Sequence, residues 1–434
     1  DKAGLQEFYS TYILMPNALT PAEALRTQGK APFPAPVGDP VTHRFRALKS
    51  AMARAKTAAD RAQILHCLAV LEAGHGHIEP APLAFPDVRK PDVSVVIPAH
   101  NKFEITYLAL ASLLFATNDA TFEVILVDDA SDDETAEIES LVSGITVIRN
   151  TEAQRFIRAC NAGVAAARGR YVALLNNDVE VTEGWLDALL DGFERFDNVG
   201  LVGSKLLYPD GRLQDGGGLV WKTGNPWNYG NGQNPSDPRF CYARQVDYLS
   251  GAAMLTTKDV WDKVGGLSDY LEPMYFEDTD FAFKIRAAGY TTWFVPSSLV
   301  YHFEGATSGT DTSSGFKKYQ EINRPKFKRQ WSEAFAQLGE EAKAPDLAKD
   351  RNIAGRVLFI DHGMPRPDRD AGSFAAIQEI RLVQSLGYKV TFFPENLAWL
   401  GAGAGYLQRM GVEVITAPFF FSLAQRKGDV LKAN

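Results

Sequence analysis

The sequence predicts an α/β protein on a mostly parallel central sheet, with a helical region before it and a shorter α/β unit after it. Three observations carry that expectation. Apolar, β-branched runs at residues 93–97 (VSVVI), 122–127 (FEVILV), 145–148 and 171–175 (YVALL) read as strands. Stretches of helical periodicity at 103–117, 133–142 and 154–168 separate them, and strand, helix, strand at this spacing gives βαβ units with parallel neighbours. The length, 434 residues, is more than one core needs at roughly 100 to 200 residues per domain.

In chain order, residues 1–90 read as a helical accessory region with a Pro-rich linker. One helix is expected around Phe8 to Met15, an extended stretch at 30–40 (KAPFPAPVGDP), and one or two helices over 43–71, which hold neither Gly nor Pro. Gly74, Gly76, Pro80, Pro82 and Pro86 mark the linker, in which His75 and His77 are expected to be solvated rather than metal ligands. The main α/β domain is expected over 91–335. After a charged linker at 340–351, a strand at 356–361, a helix at 374–386, a strand at 389–393, a helix at 397–410 and a strand at 412–415 suggest a partial Rossmann-like unit over 352–434.

Composition narrows the partners. Lys plus Arg number 45 against 53 Asp plus Glu, a net charge of -8, which disfavours attraction to a polyphosphate backbone, so no nucleic acid is expected. The cysteines Cys67, Cys160 and Cys241 form no CxxC pair. That argues against a disulfide framework or structural zinc and suits a reducing, cytoplasmic setting. The longest apolar stretch, 105–116, is too short for a bilayer, which needs about 20 residues. The start at Asp1 shows no signal peptide and suggests a trimmed piece of a larger protein.

Ligands of parallel sheets bind beyond the carboxyl ends of the strands. There the sequence places Pro98-Ala99-His100-Asn101, then Asp128-Asp129-Ala130-Ser131-Asp132, then Asn176-Asn177-Asp178-Val179-Glu180. Asp and Asn often do no more than cap helices and turns. Three polar, mostly acidic strand ends on one crevice repel each other unless a cation or a donor-rich ligand compensates, and a nucleotide with a divalent metal does so.

In order and spacing, VSVVIPAHN, VILVDDASDD, the Asn161-Ala162-Gly163 helix, YVALLNNDVEV, SGAAMLTTKDVWDKVGGLSD, YFEDTDFAFKIRAAGY and VYHFEG resemble the family 2 glycosyltransferases of GT-A fold, over about 93–331. The resemblance implies transfer of a sugar from a nucleoside diphosphate sugar, UDP or dTDP, to a hydroxyl of a glycan or lipid-linked saccharide, in bacterial surface polysaccharide synthesis. It implies that Asp129, with Asp128 in support, binds the base, and that Pro98, Ala99, Asn101, Asn161 and Asn177 line the nucleotide site. Asp178 matches the last acid of a DxD-like element and His302 a downstream histidine; together they would hold Mn2+, or Mg2+, with imidazole favouring manganese. Asn176 replaces the first acid of that element.

Asp278, beside Glu277, matches the general base of the family's ED pair, and one base opposite the leaving group gives inversion. A retaining route would need Glu180 or Glu277 as nucleophile. The Gly-rich segment 214–218, followed by Trp221, Trp227 and Tyr229 and by 225–238, reads as a long flexible loop, either a lid or acceptor platform or a solvated insertion. Lys317, Lys318, Arg324, Lys326, Lys328 and Arg329, interleaved with Phe316, Tyr319, Phe327 and Trp331, read as a solvated helix end or as peripheral contact with an anionic membrane at the inner face. The segment from Arg356 onward resembles the start of a family 4, GT-B type glycosyltransferase. Two other readings stay open: a noncatalytic nucleotide or glycan binding module, and a sugar-nucleotide pyrophosphorylase. The latter lacks support in the loop 98–103, which has no Gly.

Overall fold

The computed structural model describes residues 40–74, 79–304, 318–366, 369–399, 401–417 and 419. The helix expected near Phe8 to Met15, most of the Pro-rich stretch, His75, His77, Phe316 and Lys317 lie outside the described residues. Two compact units form. One takes Pro40–Gln233 with Gln245–Lys343, and the other includes Asn234–Arg244 and the chain from Ala344 onward.

In the first unit, α1 (Pro40–Arg54) and α2 (Ala58–Ala73) precede β1 (Val93–Ala99), every residue of which is buried. The helix α3 (Phe103–Phe115) leads to β2 (Phe122–Asp128), and β3 (Thr146–Arg149) and α4 (Arg155–Ala165) lead to β4 (Tyr171–Leu175). β1 runs parallel to β2 and β4, and β2 parallel to β3, as the βαβ pattern requires. Residues 133–142 depart from expectation. They make a 3₁₀ helix over Glu134–Ser140 instead of an α-helix, because Glu137, at φ -113° and ψ 17°, leaves helical geometry in its middle.

The second half adds β5 (Val179–Val181), α5 (Trp185–Arg195), β6 (Val199–Leu207), β7 (Leu213–Asp215), β8 (Ala253–Thr257), α6 (Lys258–Val264), α7 (Glu277–Ala287), β9 (Thr291–His302) and α8 (Lys318–Gln330). Across the sheet the order is β9, β6, β8, β4, β1, β2, β3, with β5 on β9 and β7 on β6. β8 is antiparallel to both β4 and β6, while β9 is parallel to β6. The start of β8 and the end of β9 therefore reach the same sheet edge as the carboxyl ends of β1, β2 and β4. That edge carries the site.

The boundary expected at residue 90 does not separate two units. α3 is apolar around its circumference, with Tyr107, Leu108, Leu110, Leu113 and Phe115 all buried, so the sheet can cover only one side of it. α2 packs on α3 and buries Cys67, Val70 and Leu71. On the opposite face of the sheet, α4 approaches so closely that a Cβ on Gly163 would stand 2.4 Å from Val96 Cγ1 and 2.9 Å from Val127 Cγ2.

The other unit holds β10 (Gly355–Asp361), α9 (Ala371–Ser385), β11 (Tyr388–Pro394), α10 (Gly401–Arg409) and β12 (Glu413–Val414). Its three strands are parallel in that order, around a core of Ile377, Ile380, Val390, Phe392, Leu407 and Val412. These elements match the expected alternation. Gly163→Ala in the first unit should cost about 1–3 kcal/mol through overpacking against Val96 and Val127. Urea denaturation checks this, and an unchanged midpoint would mean that α4 has room for a methyl group.

Candidate active site

Beyond β2, two acids meet different fates. Asp128 is buried and accepts from Arg149 Nη1 and from Ser131 N at 3.0 Å. Asp129, also buried, accepts from Asn150 Nδ2 (2.8 Å) and Gln154 N (2.7 Å) at Oδ1 and from Arg155 N (2.8 Å) at Oδ2. Two of those donors are backbone groups at the start of α4, so Asp129 fixes that helix entry and keeps one acceptor position on Oδ2. Asn101, at φ 57°, stitches the neighbouring loops: its N donates to Ser131 Oγ and its Oδ1 accepts from Asp132 N, both at 2.8 Å. Ala99 O accepts from Asp129 N at 2.8 Å, and Pro98 and Ala99 are buried within β1.

Beyond β4 lies the second group. β5 and β9 pair antiparallel, with Val179 opposite His302 and Glu180 opposite Tyr301. This register brings His302 Nε2 to 3.2 Å from Asp178 Oδ1 and 3.4 Å from Asn176 Nδ2. The tautomer of His302 follows from its other neighbour. Gln214 donates through Nε2 to Glu304 Oε2 at 3.1 Å, which turns Gln214 Oε1 toward His302 Nδ1 at 2.9 Å. An oxygen there requires a proton on Nδ1, so in the neutral ring the lone pair of Nε2 faces the Asp178 carboxylate. Two acceptors at 3.2 Å call for a proton or a cation between them.

A cation fits this donor set. Ligands at right angles on a small divalent ion, with bonds of about 2.1 Å, stand about 3 Å apart, and Asn176 Oδ1 is buried with no hydrogen-bond partner. Among the described residues, no three His, Cys, Asp or Glu side chains converge on a metal position. The third protein ligand would have to be the Asn176 amide oxygen. Gln214, holding the far nitrogen of the imidazole, is the kind of outer partner that fixes a metal-binding histidine.

The third group stands at the start of α7. Tyr275 and Phe276 both adopt left-handed backbone, at φ 74° and 72°, a strained choice for aromatic residues. Buried Asn323 of α8 holds that turn by donating to Leu271 O, Met274 O (2.8 Å) and Tyr275 O. Asp280, also buried, accepts from Ser268 Oγ (2.6 Å), Tyr270 Oη and Trp331 Nε1 (2.8 Å). So held, Asp278 accepts from Thr279 N at 2.6 Å and Thr279 Oγ1 at 3.1 Å on Oδ1, and from Gly251 N at 3.3 Å on Oδ2.

Burial raises the Asp278 carboxyl above the ordinary aspartate range, against those hydrogen bonds. Its neighbour Glu277 is pushed up to about 8, by burial first and by the Asp278 charge second, and Glu277 Oε2 is buried without a partner. Burial and mutual repulsion thus both oppose placing two negative charges on the pair. The second and third groups are joined through the backbone. Gly251 N contacts Asp278, and the adjacent Ala252 accepts from Asn176 N at 3.0 Å.

The model for glycosyl transferase family 2 matches residues 94–260. The N-acetylglucosaminyl-diphospho-decaprenol L-rhamnosyltransferase of Mycobacterium tuberculosis is 30% identical over 233 residues, covering 47% of this chain and 74% of that protein. This chain belongs to glycosyl transferase family 2. An uncharacterized protein of Sinorhizobium fredii, y4gI, is 31% identical over 273 residues, 60% of this chain and 30% of that relative, so the chain spans less than a third of it. A crystal structure of GalNAc-T7 with UDP, GalNAc and Mn2+ superposes with a TM-score of 0.46 at 19% identity, covering 57% of this chain and 50% of that one.

Within this chain several of the residues singled out above are engaged by other parts of the fold. Asn161 bonds Leu267 with both ends of its amide, accepting from N and donating to O at 3.0 Å each, and so ties α4 to the loop before α7. Asn177 Nδ2 donates to Thr106 Oγ1 of α3 at 2.9 Å. Glu180 is buried in a two-pronged ion pair with Arg44, which removes it as a nucleophile. The long flexible loop is a hairpin: Gly218–Val220 pairs with Pro226–Asn228, and Gly224, at φ 75°, closes its turn. Trp221 is fully buried there and Tyr229 nearly so. Trp227, 38% exposed, alone of the three presents a face to solvent.

The described part of the basic stretch is mixed, with Lys318 and Arg329 exposed. Phe327 is buried, Arg324 pairs with Glu321, and Lys326 donates to Tyr270 O. No described helix is long and apolar enough to cross a membrane. Glu277 makes a stability prediction. Its carboxyl is harder to ionise in the folded chain, so it costs stability progressively as pH rises from the unfolded value near 4.5 toward about 8. Glu277→Gln should flatten the fall in melting temperature between about pH 5 and pH 8. An equally steep fall in the variant would show that Glu277 ionises freely.

Proposed function

We propose that this family 2 enzyme inverts the anomeric carbon of a nucleoside diphosphate sugar, with Asp278 as base and a divalent cation, preferably Mn2+, held by Asp178, His302 and the Asn176 oxygen. The observation that carries the reading is the short backbone link from Asp278 through Gly251 and Ala252 to Asn176. It ties the proton acceptor and the cation ligands to one sheet edge. What the cation supplies when bound is neutralisation of the departing diphosphate.

The protein's own residues do the remainder. Asp129, with an acceptor position left on Oδ2, receives a donor from the nucleobase, and Pro98, Ala99 and Asn101 border it. Asp278, in its ionised form, takes the proton of an acceptor hydroxyl as the new carbon–oxygen bond forms and the bond to the diphosphate oxygen breaks. The proton ends on Asp278 and the nucleoside diphosphate leaves. Protonated Glu277 keeps a second negative charge away from the incoming hydroxyl. Trp227 offers an aromatic face to an acceptor sugar, from a glycan or a lipid-linked saccharide of a surface polysaccharide. The parallel unit from Gly355 onward, which resembles the start of a GT-B lobe, is outside this chemistry.

Asp278→Asn keeps the shape and removes the base. It should lower kcat by about 10²–10⁴-fold while donor and Mn2+ still raise the melting temperature, and the wild-type rate should rise with pH through the elevated Asp278 pKa. Single-turnover assays with a UDP- or dTDP-sugar check this. Full transfer by the variant would remove Asp278 as base, and loss of donor binding with it would make Asp278 a binding residue.

A further inference from the structure

The strand pair that carries Asp178 and His302 is gripped from outside by the accessory region. Two consecutive residues of α1 reach it. Arg44 donates from Nε and Nη2 to the two oxygens of Glu180, both at 2.8 Å, a forked pair in which Glu180 is almost completely buried. The Arg44 Nη1 adds a 3.1 Å contact to Glu72 of α2. His43 sets its ring edge-on to Tyr301, with centroids 6.3 Å apart at 71°. Glu180 and Tyr301 are the cross-strand partners of one register position. Asp178 stands two residues before Glu180, and His302 follows Tyr301.

We propose that Arg44 is a positioning residue for the cation site: with His43 it clamps the Glu180–Tyr301 pair and so holds β5 and β9 in the register that faces Asp178 toward His302. This inference rests on the reading of Asp178 and His302 as cation ligands and extends the site to residues 43 and 44, before the part matched by the family model. A short strand needs such a grip. β5 has three residues and, among the described strands, pairs with β9 alone, so its own ladder leaves it weakly fixed. A planar guanidinium forked on a buried carboxylate fixes both position and orientation, which an ammonium does not.

Charge and positioning predict opposite results. Arg44 is a cation near the site, so if charge alone mattered, Arg44→Gln would leave Glu180 unneutralised and tighten Mn2+ binding. Positioning predicts weaker binding, by about 10-fold, the lower end of what loss of an outer-sphere partner costs, with Arg44→Lys restoring little of it. Because a lone buried carboxylate can unfold a protein, the double variant Arg44→Met/Glu180→Met carries the same test with the pair replaced by apolar side chains of similar reach.

The experiment titrates Mn2+ by electron paramagnetic resonance on the whole chain, beside wild type and Asp178→Ala. It also measures amide hydrogen exchange across 179–181 and 300–302 without metal. Weaker Mn2+ binding with faster exchange in the folded Arg44 variants supports the clamp. Binding as tight as wild type or tighter, or unchanged exchange, overturns it. If wild type and Asp178→Ala bind Mn2+ alike, the cation reading itself fails, and the exchange measurement still decides whether Arg44 fixes the strand pair.

Discussion

Two proton acceptors, His302 Nε2 and Asp178 Oδ1, face each other at 3.2 Å, and much of the first unit holds them there. The reversal at β8 brings Ala252 beneath Asn176, the β5–β9 pairing sets Asp178 beside His302, and Gln214 turns the imidazole. Such a juxtaposition depends on a surrounding framework that fixes both groups. The framework here is a sheet edge, a buried amide and an ion pair from a helix more than a hundred residues away in sequence.

The proposed base is held by a separate device with the same logic. Glu277 and Asp278 follow two left-handed aromatic residues, a turn that would relax if released. Asn323 and Trp331, from the segment after β9, clamp it through three carbonyls and through Asp280. Aromatic packing of Phe276, Phe283, Phe327 and Trp331 completes the grip. The stretch after β9 thus belongs to the framework of this turn, with Phe327 and Phe335 buried in its core.

The sheet was legible because its strands are apolar on both faces, and β1, β2 and β4 lie within a residue or two of the expected runs. The acids at the strand ends were legible as types, since capping chemistry and site chemistry use the same residues there. What each acid does was not. Asp129 spends three acceptor positions on the chain itself, and Asn161 spends its whole amide on Leu267. Gln214 reads in sequence only as part of a Gly-rich loop, and Trp221 reads as a platform although it is core. Arg44 and Glu180 pair across 136 positions, a separation that no local spacing can signal. Local pattern reveals elements and residue types; pairing at long range assigns the roles.

The most direct measurement is anomalous diffraction at the manganese edge from crystals of this chain grown with MnCl2 and UDP. The account predicts one strong peak within bonding distance of Asp178 Oδ1 and His302 Nε2, on the side where the diphosphate is seen. Bound nucleotide with no peak there, or a peak on other residues, would contradict it.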